Sequence, residues 1–215
     1  MEFPSNYKEI PLSTWKRRDL FKSFLTFHDP CFAMSVEVDV RPLKKVAAAR
    51  GESFFLRTLF EIARAYNSVP EMRQRFLNDD AIAEYEICHP SVPLITADGE
   101  SFHQTALCYY PTFAEFSANA IPIVEAIRRG NASGQELEDS VPNCFCASCV
   151  PWVSAAGYVP ATYECNQDIH VLTWFKMTPA GTVLINNRFN HCFTDGIHAA
   201  RFFNAIAENF AAPQI

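Results

Sequence analysis

The stretch that decides the fold runs from Thr182 to Phe210 and reads TVLINNRFNHCFTDGIHAARFFNAIAENF. Its first part, Thr182–Cys192, is rich in β-branched residues and asparagine, and we interpret it as a strand. The pattern breaks at residues 194–196, Thr-Asp-Gly. From Ile197 onward the apolar residues recur on one side of a helix, which predicts an amphipathic helix. The stretch therefore predicts a strand that leads into a helix.

Outward from this stretch, strands and helices interleave along the chain. Apolar residues alternate with other residues over 32–40, which is the period of a strand. Further strands are predicted over 82–88, 91–96, 104–110, 143–150 and 169–177, and helices over 13–27, 42–50, 53–68 and 112–129, the last bent near Pro122. This interleaving indicates an α/β or α+β class with a large sheet.

The composition is typical of a globular protein. Of the 215 residues, 49% are apolar and 20% are charged, which excludes a disordered chain. We expect residues 1–215 to form a single domain, since no linker or repeat interrupts them. A net charge of −6 argues against a nucleic-acid partner. No run reaches the about 20 apolar residues of a membrane span and the first residues lack a signal core, so we expect no membrane partner and a cytoplasmic location.

Eight cysteines raise the question of a metal site. Cys144, Cys146 and Cys149 form a C-x-C-x-x-C cluster, a spacing that could bind zinc. A zinc site would need a fourth ligand on a second matching knuckle, and the sequence offers none. The cluster also lies in a strand-like run, so we expect buried structural thiols and no metal.

The junction between the last predicted strand and helix carries a motif that could take part in catalysis, His191-x-x-x-Asp195-Gly196. Its structural interpretation is a packed histidine, an aspartate that caps the helix and a glycine that relaxes the turn. Its functional interpretation is that His191 is a general base, since imidazole titrates at about pH 6.5 and can take the proton of an alcohol. A buried Asp195 would need a basic partner, for which Arg17 and Arg18 are candidates.

This junction is one of five blocks that follow one known pattern. The blocks, in chain order, are Trp15–Arg18 (W-x-R), residues 67–80 (N-x-x-x-E-F/L-R), Ser148–Trp152 (S-x-x-P-W), Val171–Thr173 (a strand ending in Thr) and residues 190–203 (NHCFTDGIHAARFF). In this order they closely resemble the chloramphenicol acetyltransferases, whose C-terminal signature is H-H-x-x-x-D-G-F/Y-H. The resemblance runs over nearly the whole chain.

The resemblance implies a fold and an assembly. The family fold is an α/β (α+β) two-layer sandwich, with a large mixed sheet and helices packed on one face. It assembles as a homotrimer with active sites at subunit interfaces, so that the base and much of the acceptor pocket lie on different chains. The 19 phenylalanines suit this assembly, since the surplus over one core indicates apolar surface kept for an interface or a pocket.

The resemblance also implies a role for each matching residue. His191 corresponds to the base that deprotonates the acceptor hydroxyl, which then attacks the thioester of acetyl-CoA directly. Ser148 corresponds to the hydrogen-bond donor to the tetrahedral oxyanion, and Thr173 to the residue that holds a water near the transition state. Asp195 and Arg17 correspond to a buried ion pair that supports the site, so Asp195 is not interpreted as the orienting member of a Ser-His-Asp triad.

Departures from the family pattern concern the acceptor more than the chemistry. Asn190 replaces the first of the paired histidines, which is not the base. Phe24 stands where the family usually has a tyrosine that contacts chloramphenicol, and Cys31 stands where it often has a cysteine. Both are therefore candidate substrate-binding residues. His198 matches a family histidine for which the sequence suggests no chemical role.

The leading hypothesis is an acetyl-CoA-dependent O-acetyltransferase that acts on chloramphenicol or a related small-molecule alcohol. One alternative is an acyltransferase of the same fold with another acyl donor or acceptor, as in lipoyl-linked dehydrogenase cores. A non-enzyme alternative is a trimeric binding protein that kept the fold and lost turnover. Thiol release from acetyl-CoA, release only from acyl-dihydrolipoamide, and ligand binding without release distinguish the three.

Overall fold

The computed structural model describes residues 3–131, 141–162, 164 and 167–215. Nine strands and five α-helices lie in this part of the chain, together with one 3-10 helix. Their order is β1 (Tyr7–Pro11), α1 (Arg18–Phe24), β2 (Cys31–Asp39), α2 (Arg41–Arg50), α3 (Phe54–Ser68), the 3-10 helix Pro70–Arg73, β3 (Gln74–Asn78), β4 (Ala81–Tyr85), β5 (His89–Ile95), β6 (Phe102–Ala106), α4 (Phe113–Arg128), β7 (Cys144–Val150), β8 (Val171–Phe175), β9 (Thr182–Asn190) and α5 (Gly196–Ala211).

The strands form a large mixed sheet and a small antiparallel one. The large sheet has six strands in the order β2-β9-β8-β7-β5-β6. Its inner pairs β5–β7 and β7–β8 are parallel, while β2–β9, β8–β9 and β5–β6 are antiparallel. The small sheet has the order β1-β4-β3. The large mixed sheet predicted by the resemblance is confirmed.

Helices cover one face of the large sheet. Tyr66 of α3 stacks on Phe145 of β7 with ring centroids 3.9 Å apart, and Phe202 of α5 meets Phe189 of β9 edge to face. Because side chains alternate along a strand, residues next to these core positions point to the opposite face. That opposite face carries Ser148 and Thr173. The two-layer α/β class is confirmed, and none of the helices in the described ranges is long and apolar enough to cross a bilayer.

The N-terminal third differs most from the sequence prediction. A helix was expected over 13–27, but α1 covers only Arg18–Phe24. A turn precedes it, in which the N–H groups of Thr14 and Trp15 both donate to the carbonyl of Pro11 at 3.1 Å. Strands β1 and β3 were not predicted. They are five residues each, and β1 is almost wholly exposed, so neither shows the alternation by which the longer strands are recognised.

Candidate active site

The guanidinium of Arg17 holds the turn between β9 and α5. It forms a two-pronged ion pair with the carboxylate of Asp195, in which Nη2 lies 2.5 Å from Oδ1 and Nη1 bonds Oδ2. The same guanidinium donates to the carbonyls of His191 at 2.8 Å and Cys192 at 3.2 Å. Hydrogen bonds from Arg17 hold the pKa of the Asp195 carboxyl below its usual value. The predicted Arg17–Asp195 pair is therefore present in the structure.

The imidazole of His191 is held on three sides. Its Nδ1 lies 3.2 Å from Oδ1 of Asp195. The ring stacks on Phe24 with centroids 4.3 Å apart and nearly parallel planes, and Phe32 lies 4.4 Å away on a tilted plane. About a third of the side chain, 32%, remains exposed. The sequence interpretation gave Asp195 only the ion pair with Arg17, and the structure adds the contact with the histidine.

Asp195 is also the residue before the first turn of α5. Its backbone N–H donates to Nδ1 of His198 at 2.9 Å, and its carbonyl accepts from the N–H groups of His198 and Ala199 at 3.0 Å. An unpaired N–H at a helix start needs such a partner. His198, for which the sequence suggested no chemical role, thus fixes the start of the helix beside His191.

Two residues near the turn were predicted to bind substrate. Phe24, at the end of α1, reaches the turn through its stacking on His191. Cys31 begins β2 and pairs with Asn190 across the sheet. Burial raises the pKa of the Cys31 thiol to about 12, so the side chain is a neutral thiol at neutral pH and not a thiolate. Asn190 accepts a hydrogen bond from the N–H of Cys192 at 2.8 Å and so supports the turn itself.

Ser148 and Thr173 form a second group, in the middle of the large sheet. Ser148 of β7 lies opposite Thr173 of β8, which lies opposite Asn186 of β9, which lies opposite Ser35 of β2. Directly opposed residues share a face, so these four polar side chains form one row across four strands. The row thus adds Asn186 and Ser35, which the sequence did not single out, to the predicted site residues Ser148 and Thr173.

Asn186 is the most constrained member of this row. Its Nδ2 donates to Oγ of Ser35 at 2.9 Å and to the carbonyl of Tyr158 at 3.1 Å. Its Oδ1 and the Oγ1 of Thr173 are buried and have no hydrogen-bond partner among the described residues. The sequence signal for Asn186 is its position in the alternation of β9, but its relation to Thr173 depends on strand order.

A cavity of about 900 Å³ opens beside Ser148 and Thr173. Aromatic side chains form much of its wall, and the lining residues also include the cations Arg128 and Lys176. Cys146 and Cys149 also line it, and burial raises the pKa of the Cys149 thiol to about 12. The aromatic lining residues are Phe54, Phe55, Phe102, Trp152, Tyr158, Trp174 and Phe175.

The cysteine cluster shows no sign of metal binding in the described ranges. No group of three or more His, Cys, Asp or Glu side chains there is arranged to hold a metal ion. Cys149 of the cluster is a free thiol, as are Cys88 and Cys108 elsewhere in the described part of the chain. Cys165 lies outside the described residues.

A single chain does not bring His191 to Ser148. His191 lies five residues beyond Asn186, the residue of β9 in the row of Ser148. A strand advances about 3.4 Å per residue and neighbouring strands lie about 4.8 Å apart, so His191 and Ser148 are about 20 Å apart. Of the described residues, those that line the cavity do not include His191. The two groups are therefore separate within one protomer.

Comparisons with known proteins agree on one family. The family model described as chloramphenicol acetyltransferase matches residues 5–207. Chloramphenicol acetyltransferase 2 of Escherichia coli is 26% identical over 212 residues, covering 94% of this chain and 95% of the relative. The enzyme of Staphylococcus aureus is 24% identical, with 94% and 95% covered.

Solved structures show the same fold. A chloramphenicol acetyltransferase superposes with a TM-score of 0.86 at 24% identity, covering 96% of this chain and all of the other. The cubic core of the pyruvate dehydrogenase multienzyme complex superposes with a TM-score of 0.63 at 19% identity, covering 96% of this chain and 92% of the other. The difference between the two TM-scores places this chain nearer to the first structure.

Proposed function

This chain belongs to the chloramphenicol acetyltransferase family and is an acyltransferase, and we propose that it transfers the acetyl group of acetyl-CoA to a hydroxyl of chloramphenicol or of a related small molecule. The observation that carries the proposal is the setting of His191. Its Nδ1 faces the carboxylate of Asp195 and its ring is packed on Phe24. Nε2 is then the ring nitrogen open to an acceptor hydroxyl.

The reaction proceeds by direct transfer. Nε2 of His191 takes the proton of the acceptor hydroxyl as its oxygen attacks the thioester carbonyl, and Asp195 at Nδ1 stabilises the imidazolium that forms. The hydroxyl of Ser148 donates to the tetrahedral oxyanion. Collapse of this oxyanion breaks the C–S bond, and the departing thiolate takes the proton back from the imidazolium. The products are the acetyl ester and free CoA.

The acyl donor enters the cavity beside Ser148. The aromatic lining residues suit the methyl and methylene groups of the long arm of acetyl-CoA, and the cations Arg128 and Lys176 suit its phosphates. Thr173 lines the same cavity with an unpartnered buried hydroxyl, which fits a residue that holds a water near the reacting carbonyl.

The active site is assembled between chains of a homotrimer. The separation of about 20 Å between His191 and Ser148 within one chain is too large for one reaction centre. We assign His191, Phe24 and Cys31 of one chain to the same site as Ser148 and Thr173 of its neighbour. Exposed apolar residues around the cavity support an interface there: Trp152 is 66% exposed and Val159 is 87% exposed.

The test is release of free thiol from acetyl-CoA, with and without chloramphenicol. We expect release that depends on chloramphenicol, and a turnover at least about a hundredfold lower in His191→Ala, with folding unchanged. The matched control is His103→Ala, an exposed histidine on β6, which should turn over like the wild type. Near-wild-type turnover in His191→Ala would refute His191 as the base.

Two other outcomes favour the alternatives. Release only from acetyl-dihydrolipoamide would favour the lipoyl-linked type of acyltransferase, whose core has the same fold. Binding of both ligands without release would favour a silent binding protein. Release with other alcohols but not with chloramphenicol would keep the chemistry and change the acceptor, and Phe24 would be the first residue to examine.

A further inference from the structure

A second carboxylate stands behind the turn that carries the base. Glu71 lies in the 3-10 helix Pro70–Arg73, and its Oε1 is 3.4 Å from Nε2 of His198. The other nitrogen of that ring, Nδ1, accepts the backbone N–H of Asp195 at 2.9 Å. Asp195 in turn contacts Nδ1 of His191 and the guanidinium of Arg17. A continuous line of contacts thus runs from Glu71 to His191.

The hydrogen bond at Nδ1 fixes which tautomer His198 adopts. A neutral imidazole carries one proton, and a nitrogen that accepts a hydrogen bond cannot hold it. The proton of His198 is therefore on Nε2, which is the atom that faces Glu71. The ring is neutral at neutral pH because burial lowers the pKa of His198. A carboxylate opposite a ring N–H is the usual device by which proteins select a histidine tautomer.

A histidine at the position of His198 needs a carboxylate opposite Nε2 to keep Nδ1 free as an acceptor. Helix starts commonly use a Glu or Gln three residues after the cap to bind the N–H of the cap residue. Those side chains always offer an acceptor oxygen, whereas a histidine offers Nδ1 only in one tautomer. The contact is also partly shielded from water, with side-chain exposures of 12% for His198 and 24% for Glu71. Glu71 therefore has an electrostatic influence that an exposed pair would lack.

We propose that Glu71 and His198 are positioning residues for the base: the carboxylate of Glu71 keeps His198 in the tautomer that binds the N–H of Asp195, and so keeps Asp195 against His191. Neither residue touches substrate. The proposal rests on the role of His191 proposed above, and it assigns a function to two residues of the family-like blocks that the chemistry leaves unused.

The first test is spectroscopic and does not depend on turnover. Protein labelled with ¹⁵N-histidine, in its native assembly, is compared with Glu71→Gln, and the His198 signals are identified by their loss in His198→Asn. We expect a protonated Nε2 and an unprotonated Nδ1 in the wild type, and a mixture of tautomers in Glu71→Gln. A protonated Nδ1 in the wild type, or identical spectra in the two proteins, would overturn the proposal.

The second test is a double-mutant cycle on turnover. Glu71→Gln should lower kcat about tenfold with little change in KM, since the base is misplaced while substrate binding is kept. His198→Asn keeps an acceptor near the position of Nδ1 and has no tautomer to select. It should recover most of the activity lost in His198→Ala, and adding Glu71→Gln to it should cost nothing further.

The outcomes separate this proposal from the proposed function. An equal loss from Glu71→Gln in both backgrounds means that Glu71 acts without His198, which overturns the proposal. An inactive His191→Ala together with a fully active Glu71→Gln also overturns it, but leaves the base in place. A fully active His191→Ala would instead refute the proposed function. The matched control is Glu208→Gln, at an exposed carboxylate on α5, the helix that also carries His198. This variant should leave kcat unchanged.

Discussion

His191 and Ser148 differ in how firmly the chain holds them. The imidazole has a carboxylate at Nδ1 and aromatic rings against its faces, so its direction is set before substrate arrives. Ser148 is placed by strand register alone, and its hydroxyl hydrogen can rotate to meet a charge as it develops. A group that acts through developing charge contributes to the transition state and little to substrate binding.

Ser148→Ala therefore tests the oxyanion role. We expect kcat to fall by about a hundredfold to a thousandfold, the usual cost of losing one such donor, with KM nearly unchanged. Steady-state thiol release at varied chloramphenicol and acetyl-CoA concentrations gives both constants. Ser117→Ala, at a partly exposed serine of α4, is the control. A rise in KM at constant kcat would contradict the assignment.

His170 predicts a pH dependence of stability. It is 1% exposed, and burial, followed by the charge of Arg75, holds its pKa well below the ordinary value. The unfolded chain binds a proton at this residue as the pH falls below about 6.5, but the folded chain does not. Stability is thus complete above that pH and is lost below it, by up to about 1.4 kcal/mol per pH unit.

Urea unfolding at pH 7.5 and 5.5 measures this loss. His170→Asn keeps an acceptor for the hydroxyl of Tyr66, which lies 3.2 Å from Nδ1 of His170, and cannot titrate. The loss of unfolding free energy between the two pH values should be smaller in this variant. Burial also lowers the pKa values of His89 and His198, which contribute to the loss with the same sign in both proteins. An identical loss in both proteins would contradict the prediction.

At the scale of elements, the last residues of the chain join two helices. The N–H of Gln214 donates to Glu61 of α3 at 3.0 Å, and its carbonyl accepts from Arg57 at 2.7 Å. Its side chain accepts the N–H of Phe113, the first residue of α4, and donates to Pro111, both at 3.0 Å. Gln214 thus satisfies a helix N–H that α4 itself leaves unpaired.

Gln214→Ala removes the two side-chain hydrogen bonds and leaves the backbone ones in place. We expect a loss of about 1–2 kcal/mol in unfolding free energy, since each removed bond leaves a partner unsatisfied. The activity of the folded protein should be unchanged, because the contact lies away from the turn of His191. Ile215→Ala, at a residue that is 91% exposed, is the control. Equal stabilities of the two variants would refute the capping role.

The elements themselves were predicted unequally. Strand β9 and helix α5 lie within one or two residues of the predicted ranges, because their apolar periods are long and regular. Helix α2 ends as predicted at Gly51, whose φ of 65° is left-handed. The short strands β1 and β3 escaped prediction, since their pairing with β4 and not their own pattern makes them strands.

At the scale of the whole molecule, the separation of His191 from Ser148 is the basis of the proposed site shared between copies. That residues 1–215 form one domain stays a prediction. The polar row of Ser148, Thr173 and Asn186 lies on the sheet face opposite the one that α3 and α5 cover. In the proposed trimer, a neighbouring chain docks on this side and brings its own His191 to the cavity.

Complementation between two inactive variants tests this arrangement. His191→Ala and Ser148→Ala are each expected to be nearly inactive, but each keeps the residue that the other lacks. In a cyclic trimer assembled at random from equal amounts, about a quarter of the sites combine an intact His191 with an intact Ser148. We expect co-refolded mixtures to regain about that fraction of wild-type turnover. Mixtures no more active than the separate variants would mean that both residues act from one chain, or that the chains do not associate.

The sequence by itself determined the class of fold, the turn of His191 and Asp195, and the family, because these depend on patterns of a few residues and on blocks in order. The ion pair of Asp195 with Arg17, 178 residues away, was predicted through the resemblance to a known family and is present in the structure. Tertiary structure alone decided that Asp195 also contacts His191, that Glu71 stands behind His198, and that Asn186 extends the row of Ser148. These facts depend on which distant segments pack together and in which register, and long-range packing leaves no local period in the chain.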